Sequence, residues 1–162
     1  MSTSVSLFKQ HIELIKKEES GNENHPELWN RFGESLGNSR EYMESVTKIK
    51  ETEALINVFF NLTKHSPPHI GLAALLSYES MVPEVSATKI EGLKNFYNIS
   101  DDRSLQFFLV HIEADKAHRE ICFSLLTSLC NTNKEKTDAL YAVDSALEVL
   151  NGFLSGVQRR YC

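Results

Sequence analysis

The chain has 162 residues, enough for one domain with a hydrophobic core, and its 41% apolar and 24% charged residues are ordinary for a globular protein. A formal net charge of -5 argues against the basic face that binding a phosphate backbone requires. No apolar run reaches the length of a membrane span, and the first twenty residues carry no signal-peptide hydrophobic block. A cytoplasmic protein with no nucleic-acid and no membrane partner is expected. The cysteines, Cys122, Cys130 and Cys162, are odd in number and lack CxxC spacing, which fits a reducing compartment rather than a disulfide framework.

Glycine and proline are scarce, at seven and four, and apolar spacing is helical nearly everywhere, so one all-α domain over residues 1–162 is expected. A first helix runs from about Ser4 to Glu19, with Leu7, Phe8, Leu14 and Ile15 on a stripe that continues to Glu18. It stops at Ser20-Gly21-Asn22. A short segment opens near Pro26, a residue suited to a first helical turn, and ends near Gly37. The third runs from about Ser39 to Thr63, carried by Tyr42, Val46, Ile49, Ile56 and Phe60. His65-Ser66-Pro67-Pro68 ends it. The fourth spans about His69 to Tyr97, with a kink expected where Pro83 cannot donate to the Glu79 carbonyl. Ser100 is a candidate N-cap for a fifth helix that reaches about Cys130, and a sixth follows Asn131-Thr132-Asn133. Short connections between long helices favour an antiparallel bundle.

The fifth helix carries the chemistry. Its apolar stripe holds Phe107, Phe108, Cys122, Leu125, Leu126 and Leu129, and His111, Asp115 and His118 lie near the centre of it at 100° per residue. Glu113 and Glu120 fall on the opposite face. Three titratable groups on a buried face are costly unless something satisfies them, and a metal would neutralise the carboxylate and bind the imidazoles. The fourth helix repeats the pattern: Glu79 sits within Leu72, Leu75, Leu76, Val82, Ile90 and Leu93. Glu18 ends the first stripe, and His25 enters just before Pro26, from a segment junction. Each has a plainer alternative. His111, Asp115 and His118 could be separately hydrogen-bonded core residues, Glu79 could pair with a buried cation, and Glu18 and His25 could be surface residues, with His11 a rival ligand. Taken together, three carboxylates and three imidazoles exceed the four ligands of a closed zinc site and suit two divalent cations, iron or manganese.

The spacings Glu18-x6-His25 and His111-x3-Asp115-x2-His118, with Glu79 between them, resemble the metal-binding pattern of the heme-oxygenase-like diiron oxidases. The stretches EESGNENHPELWNRFGESLG, LLSYESMVPEVSATKIEGLKNFYNIS and FFLVHIEADKAHREI are similar to the CADD-like and PqqC-like members of that family. The resemblance implies an all-α heme-oxygenase-like bundle, usually a homodimer, without heme. It implies two divalent metal ions, Fe/Fe or Fe/Mn, on Glu18, His25, Glu79, His111, Asp115 and His118, with O2 as co-substrate. For the CADD-like branch it implies formation of p-aminobenzoate (4-aminobenzoate) for folate synthesis, a tyrosine of the protein supplying the ring and a lysine the amino group. Lys89 matches the lysine, and Tyr78, beside Glu79, matches a tyrosine near the site; Lys89 is otherwise a solvated lysine and Tyr78 a packing residue, while Trp29 is expected in the core. Family members carry further helices ahead of the point where this chain starts, the ring-donating tyrosine among them, so a bundle lacking the first helices is expected. Two other functions compete. One is a helical interaction module with a structural metal and an unidentified protein partner; the other is a metal-independent enzyme of the thiaminase or PqqC-like type.

Overall fold

A computed structural model describes residues 18–162 and, ahead of them, Ser6, Lys9, Ile12, Glu13, Ile15 and Lys16. Those six and Glu18 are helical, as expected for the first segment, whose Leu7, Phe8, His11 and Leu14 lie outside the described residues. Seven helices follow: α1 (His25–Ser35), α2 (Arg40–Ser45), α3 (Lys50–Lys64), α4 (Pro68–Glu79), α5 (Val82–Tyr97), α6 (Asp102–Leu129) and α7 (Asn133–Tyr161). Among the described residues there is no strand, so the all-α expectation holds. None of the described helices is long and apolar enough to cross a membrane.

Two expected helices are broken, each for a local reason. The segment from Ser39 to Thr63 divides into α2 and α3, because the backbone turns extended at Val46 (ψ 126°) and again at Ile49 (ψ 156°). Val46, Thr47 and Ile49 are β-branched and lose side-chain freedom in a helix, so nothing local favours continuing it. The segment from His69 to Tyr97 does more than kink. It stops at Glu79 and restarts at Val82, with Pro83 in the first turn of α5, where its missing N–H costs nothing.

The chain divides into two compact units. One comprises Met1–Val46 with Met81–His118, the other Thr47–Ser80 with Arg119–Cys162. In the first, the Asn24 side chain accepts from the Glu27 N–H at 3.0 Å and starts α1. Gly37, at φ +84°, turns the chain into α2, a conformation that favours glycine. Glu27 then accepts from Arg40 of α2 (2.7 and 3.1 Å) and from Arg31 (2.9 Å). These two guanidiniums, Arg40 first, hold the Glu27 carboxyl down at about 2. Ile90, Leu93, Ile99, Leu105 and Phe108 form the core of this unit, with Phe32, Phe107 and Ile112 packed against it.

In the second unit α3, α4 and α7 pack on one another. The buried face of α4 is Gly71, Ala73 and Ala74, whereas Leu72, Leu75 and Leu76 of the expected stripe are only partly buried. The reason is close approach. A Cβ on Gly71 would stand 3.2 Å from Thr63 Cα and 3.3 Å from the Leu62 carbonyl oxygen, so only small residues fit at that crossing. Ala139, Ala142 and Ala146 supply the matching face of α7, which starts on a capping box between Thr132 and Glu135.

Candidate metal centre

Helix α6 presents His111, Asp115 and His118 at i, i+4 and i+7, one face of a helix. Asp115 and His118 are each 5% exposed, while Glu113 and Glu120 are in solvent, as the periodicity predicts. All three donors belong to the first unit, as do Glu18 and His25. His25 is not ahead of a helix but is the first residue of α1, with Asn24 as its cap. Its ring lies 4.6 Å from that of His111, at 34°. His118 Nε2 stands 3.2 Å from Glu18 Oε1, and His118 Nδ1 3.6 Å from Asp115 Oδ1.

The hydrogen bonds of the two neighbouring imidazoles decide which nitrogen carries the proton. His111 Nδ1 is 2.6 Å from the Phe107 carbonyl oxygen. A carbonyl only accepts, so Nδ1–H donates and the Nε2 lone pair is left available. His25 Nδ1 is 3.1 Å from Glu19 Oε1, and the same reasoning frees its Nε2. Backbone carbonyls and carboxylates fix the tautomer of metal-binding histidines in this way. His25 Nε2 is buried and has no hydrogen-bond partner among the described residues, and the same is true of Asp115 Oδ2. Burial pushes the Asp115 carboxyl above its usual range, against the pull of His111, His118 and His25. An imidazole nitrogen and a carboxylate oxygen both buried without partners carry an energetic cost that a cation would remove. The donor set therefore fits a divalent metal of the iron class. Among the described residues the donors stand as close pairs, and no three of them are arranged to hold an ion as they stand.

Glu79 closes α4 in the second unit. Its charge, after burial, is the cause that drives the Cys122 thiol up to about 12. Arg119 of the same unit donates to the Ser80 carbonyl at 3.2 Å, one residue along from Glu79. Tyr78 is 45% exposed and sets its ring edge-on to Phe59, 6.3 Å between centroids. Lys89, in the first unit, is exposed, with Nζ 5.6 Å from the centre of the Phe108 ring. Trp29 departs from its expected core position. It is 47% exposed and packs on Phe32 and Phe107 at 5.3 and 4.8 Å.

The sequence pattern missed two contributors. Glu19 lies six residues before His25, across the Gly21 break, a spacing that belongs to no helical face. The Phe107 carbonyl acts through the backbone, though its i−4 position relative to His111 is a regular helical relation that could have flagged it.

A family model described as iron-containing redox enzyme matches residues 2–151 of the chain. A 4-aminobenzoate synthase of Nitrosomonas europaea is 34% identical over 161 residues, covering 99% of this chain and 65% of the relative. A 4-aminobenzoate synthase of Chlamydia pneumoniae is 34% identical over 152 residues, 93% of this chain and 66% of the relative. A pyrroloquinoline-quinone synthase of Ruegeria pomeroyi is 26% identical over 132 residues, 74% of this chain and 54% of that protein. The chain thus spans less than two thirds of the length of these relatives.

Proposed function

The chain belongs to the family of iron-containing redox enzymes with a heme-oxygenase-like fold, and from there we propose that it is an O2-dependent oxidase that forms 4-aminobenzoate, with two metal ions, Fe/Fe or Fe/Mn. Glu18, His25, Glu79, His111, Asp115 and His118 would hold the ions, which when bound supply one-electron chemistry with O2. The observation that carries this reading is the pair of tautomer-fixed imidazoles, His25 and His111, beside the buried carboxylate of Asp115.

Each of these side chains has a task. Glu19 and the Phe107 carbonyl hold the Nδ1 protons and so aim two Nε2 lone pairs. Asp115 brings negative charge into a place that burial makes hostile to it, which strengthens its demand for a cation. The Phe107 ring packs on the rings of His25 and His111 and gives the two imidazoles an apolar neighbour. Tyr78 and Lys89 are the side chains proposed to be oxidised, the first as a phenol and the second as an amine. We also assign the protein to the cytoplasm as a homodimer. Support comes from three cysteines that form no disulfide among the described residues and from apolar side chains in the open, Phe96 at 83% and Tyr141 at 71% exposure.

The test is to reconstitute the protein with ferrous iron without air, measure bound iron, then admit O2 and quantify 4-aminobenzoate by mass spectrometry. About two equivalents of iron and formation of 4-aminobenzoate are expected. Less than one equivalent removes the metal centre and leaves a helical interaction protein. Oxygen uptake without the product keeps the oxidase and rejects the synthase.

A further inference from the structure

The first unit contains a cavity of about 340 Å³ that the metal donors do not use. Helix α1 supplies Trp29 and Phe32 to its wall, spaced i, i+3; helix α5 supplies Lys89, Gly92 and Leu93, spaced i, i+3, i+4; Phe108 of α6 also lines it. The spacing means that each helix turns one face to the same space. Four of the lining side chains are aromatic, Trp29, Phe32, Tyr97 and Phe108, and Phe108 and Leu93 are core residues that fix the shape. Gly92 lines the space, and a Cβ there would meet no atom within 4 Å, so a longer side chain at this position has room to enter it. Lys89 is the one charged group on the wall, and it makes no ion pair among the described residues. The volume falls in the range of small-molecule sites, which combine apolar walls with a few polar groups that set orientation.

We propose that this cavity binds a small planar aromatic carboxylate, its ring between the aromatic walls and its carboxylate on the Lys89 ammonium. Flat aromatic walls select a planar ring through offset and edge-on packing. A single ammonium selects a single negative charge, since a phosphate group calls for a planar guanidinium or several donors. The place suits the chemistry next door. Trp29 packs on Phe107 at 4.8 Å, and Phe107 lies 4.2 Å from His111, so the cavity is one aromatic layer from the candidate metal donors. The assignment rests on the proposed function only in choosing 4-aminobenzoate as a probe. It gives Lys89 a binding role distinct from supplying an amine.

Isothermal titration calorimetry on the metal-free protein tests it, with 4-aminobenzoate, benzoate and benzylamine as ligands. Trp29, the single tryptophan of the chain, gives a second readout by fluorescence. Both carboxylates should bind, with a dissociation constant on the order of 0.1–1 mM for a ligand of about ten heavy atoms. Benzylamine, of the same shape and opposite charge, should not. Lys89→Met should weaken the carboxylates about tenfold, the loss of one charge-assisted hydrogen bond. Gly92→Leu should fill the cavity and abolish binding, and Gly92→Ala should reduce it, with the helical circular dichroism of both retained. Benzylamine binding as tightly as benzoate, or carboxylate binding that ignores Lys89→Met, overturns the proposal, as does an absence of binding. The titration involves no turnover. Protein that binds the carboxylates yet forms no 4-aminobenzoate keeps the cavity and loses the synthase reading; protein that forms the product without binding does the reverse.

Discussion

Replacing Asp115 by Asn should make the metal-free protein more stable and the iron-loaded protein less so. Asp115 is buried, its Oδ2 has no hydrogen-bond partner among the described residues, and its Oδ1 lies 3.6 Å from His118 Nδ1, too far for a hydrogen bond. Burial holds its carboxyl above the usual range, so the ionised form opposes folding at neutral pH. An unsatisfied buried polar group costs about 1–3 kcal/mol. Asparagine keeps the shape and removes the charge but brings an amide that also needs partners, so a gain of about 1–2 kcal/mol is expected. At roughly 2–4 °C per kcal/mol for a chain of this size, Tm of the metal-free protein should rise by about 2–8 °C. Iron at a hundred times its dissociation constant should stabilise the unaltered protein by about 2.7 kcal/mol, and the Asp115→Asn protein by much less. Differential scanning fluorimetry under nitrogen, with and without ferrous iron, reads both halves. A metal-free Asp115→Asn protein that melts below the parent would show that the protein's own groups already satisfy this carboxylate. An iron-induced shift equal in the two proteins would remove Asp115 from the site.

Three other outcomes follow from the geometry. Glu19→Ala should weaken iron binding about 10- to 100-fold, because His25 loses the acceptor that sets its tautomer; equilibrium dialysis showing unchanged affinity would contradict that role. Phe108→Ala should cost about 3–5 kcal/mol in urea unfolding, since its ring is buried in the core of the first unit, and a loss below about 1 kcal/mol would mean that the unit does not depend on that ring. The Glu27 carboxyl is depressed to about 2 from an ordinary 4.5, so its contribution to joining α1 and α2 is present above pH 4.5 and is lost as the pH falls from there toward 2. Glu27→Gln should flatten that part of the acid-stability curve, measured by circular dichroism, and an unchanged curve would refute the link.

Local chemistry determined several of the helix boundaries and the buried face of α6. Pro83 removes the donor that the Glu79 carbonyl needs, so a break there follows from covalent structure, and only its depth, a stop rather than a kink, came from the fold. Gly21 and Gly37 sit at positive φ, where few other residues are comfortable, and both mark breaks that the chain announces. The 3.6-residue period places Asp115 and His118 inside and Glu113 and Glu120 outside, because a helix has one face whatever it packs against. What the period cannot say is which neighbour covers that face. Glu19 reaches His25 only because the chain reverses between them, and no spacing rule connects residues across a turn of unknown shape. Trp29 looked like a core residue by its size, yet it stands half in solvent on the rim of a cavity that Phe32 of its own helix and residues of α5 and α6 also line. The second unit buries Gly71, Ala73 and Ala74 in preference to the leucines beside them, since the distance between two crossing helices sets how large a side chain may be, and that distance exists only once the helices have met.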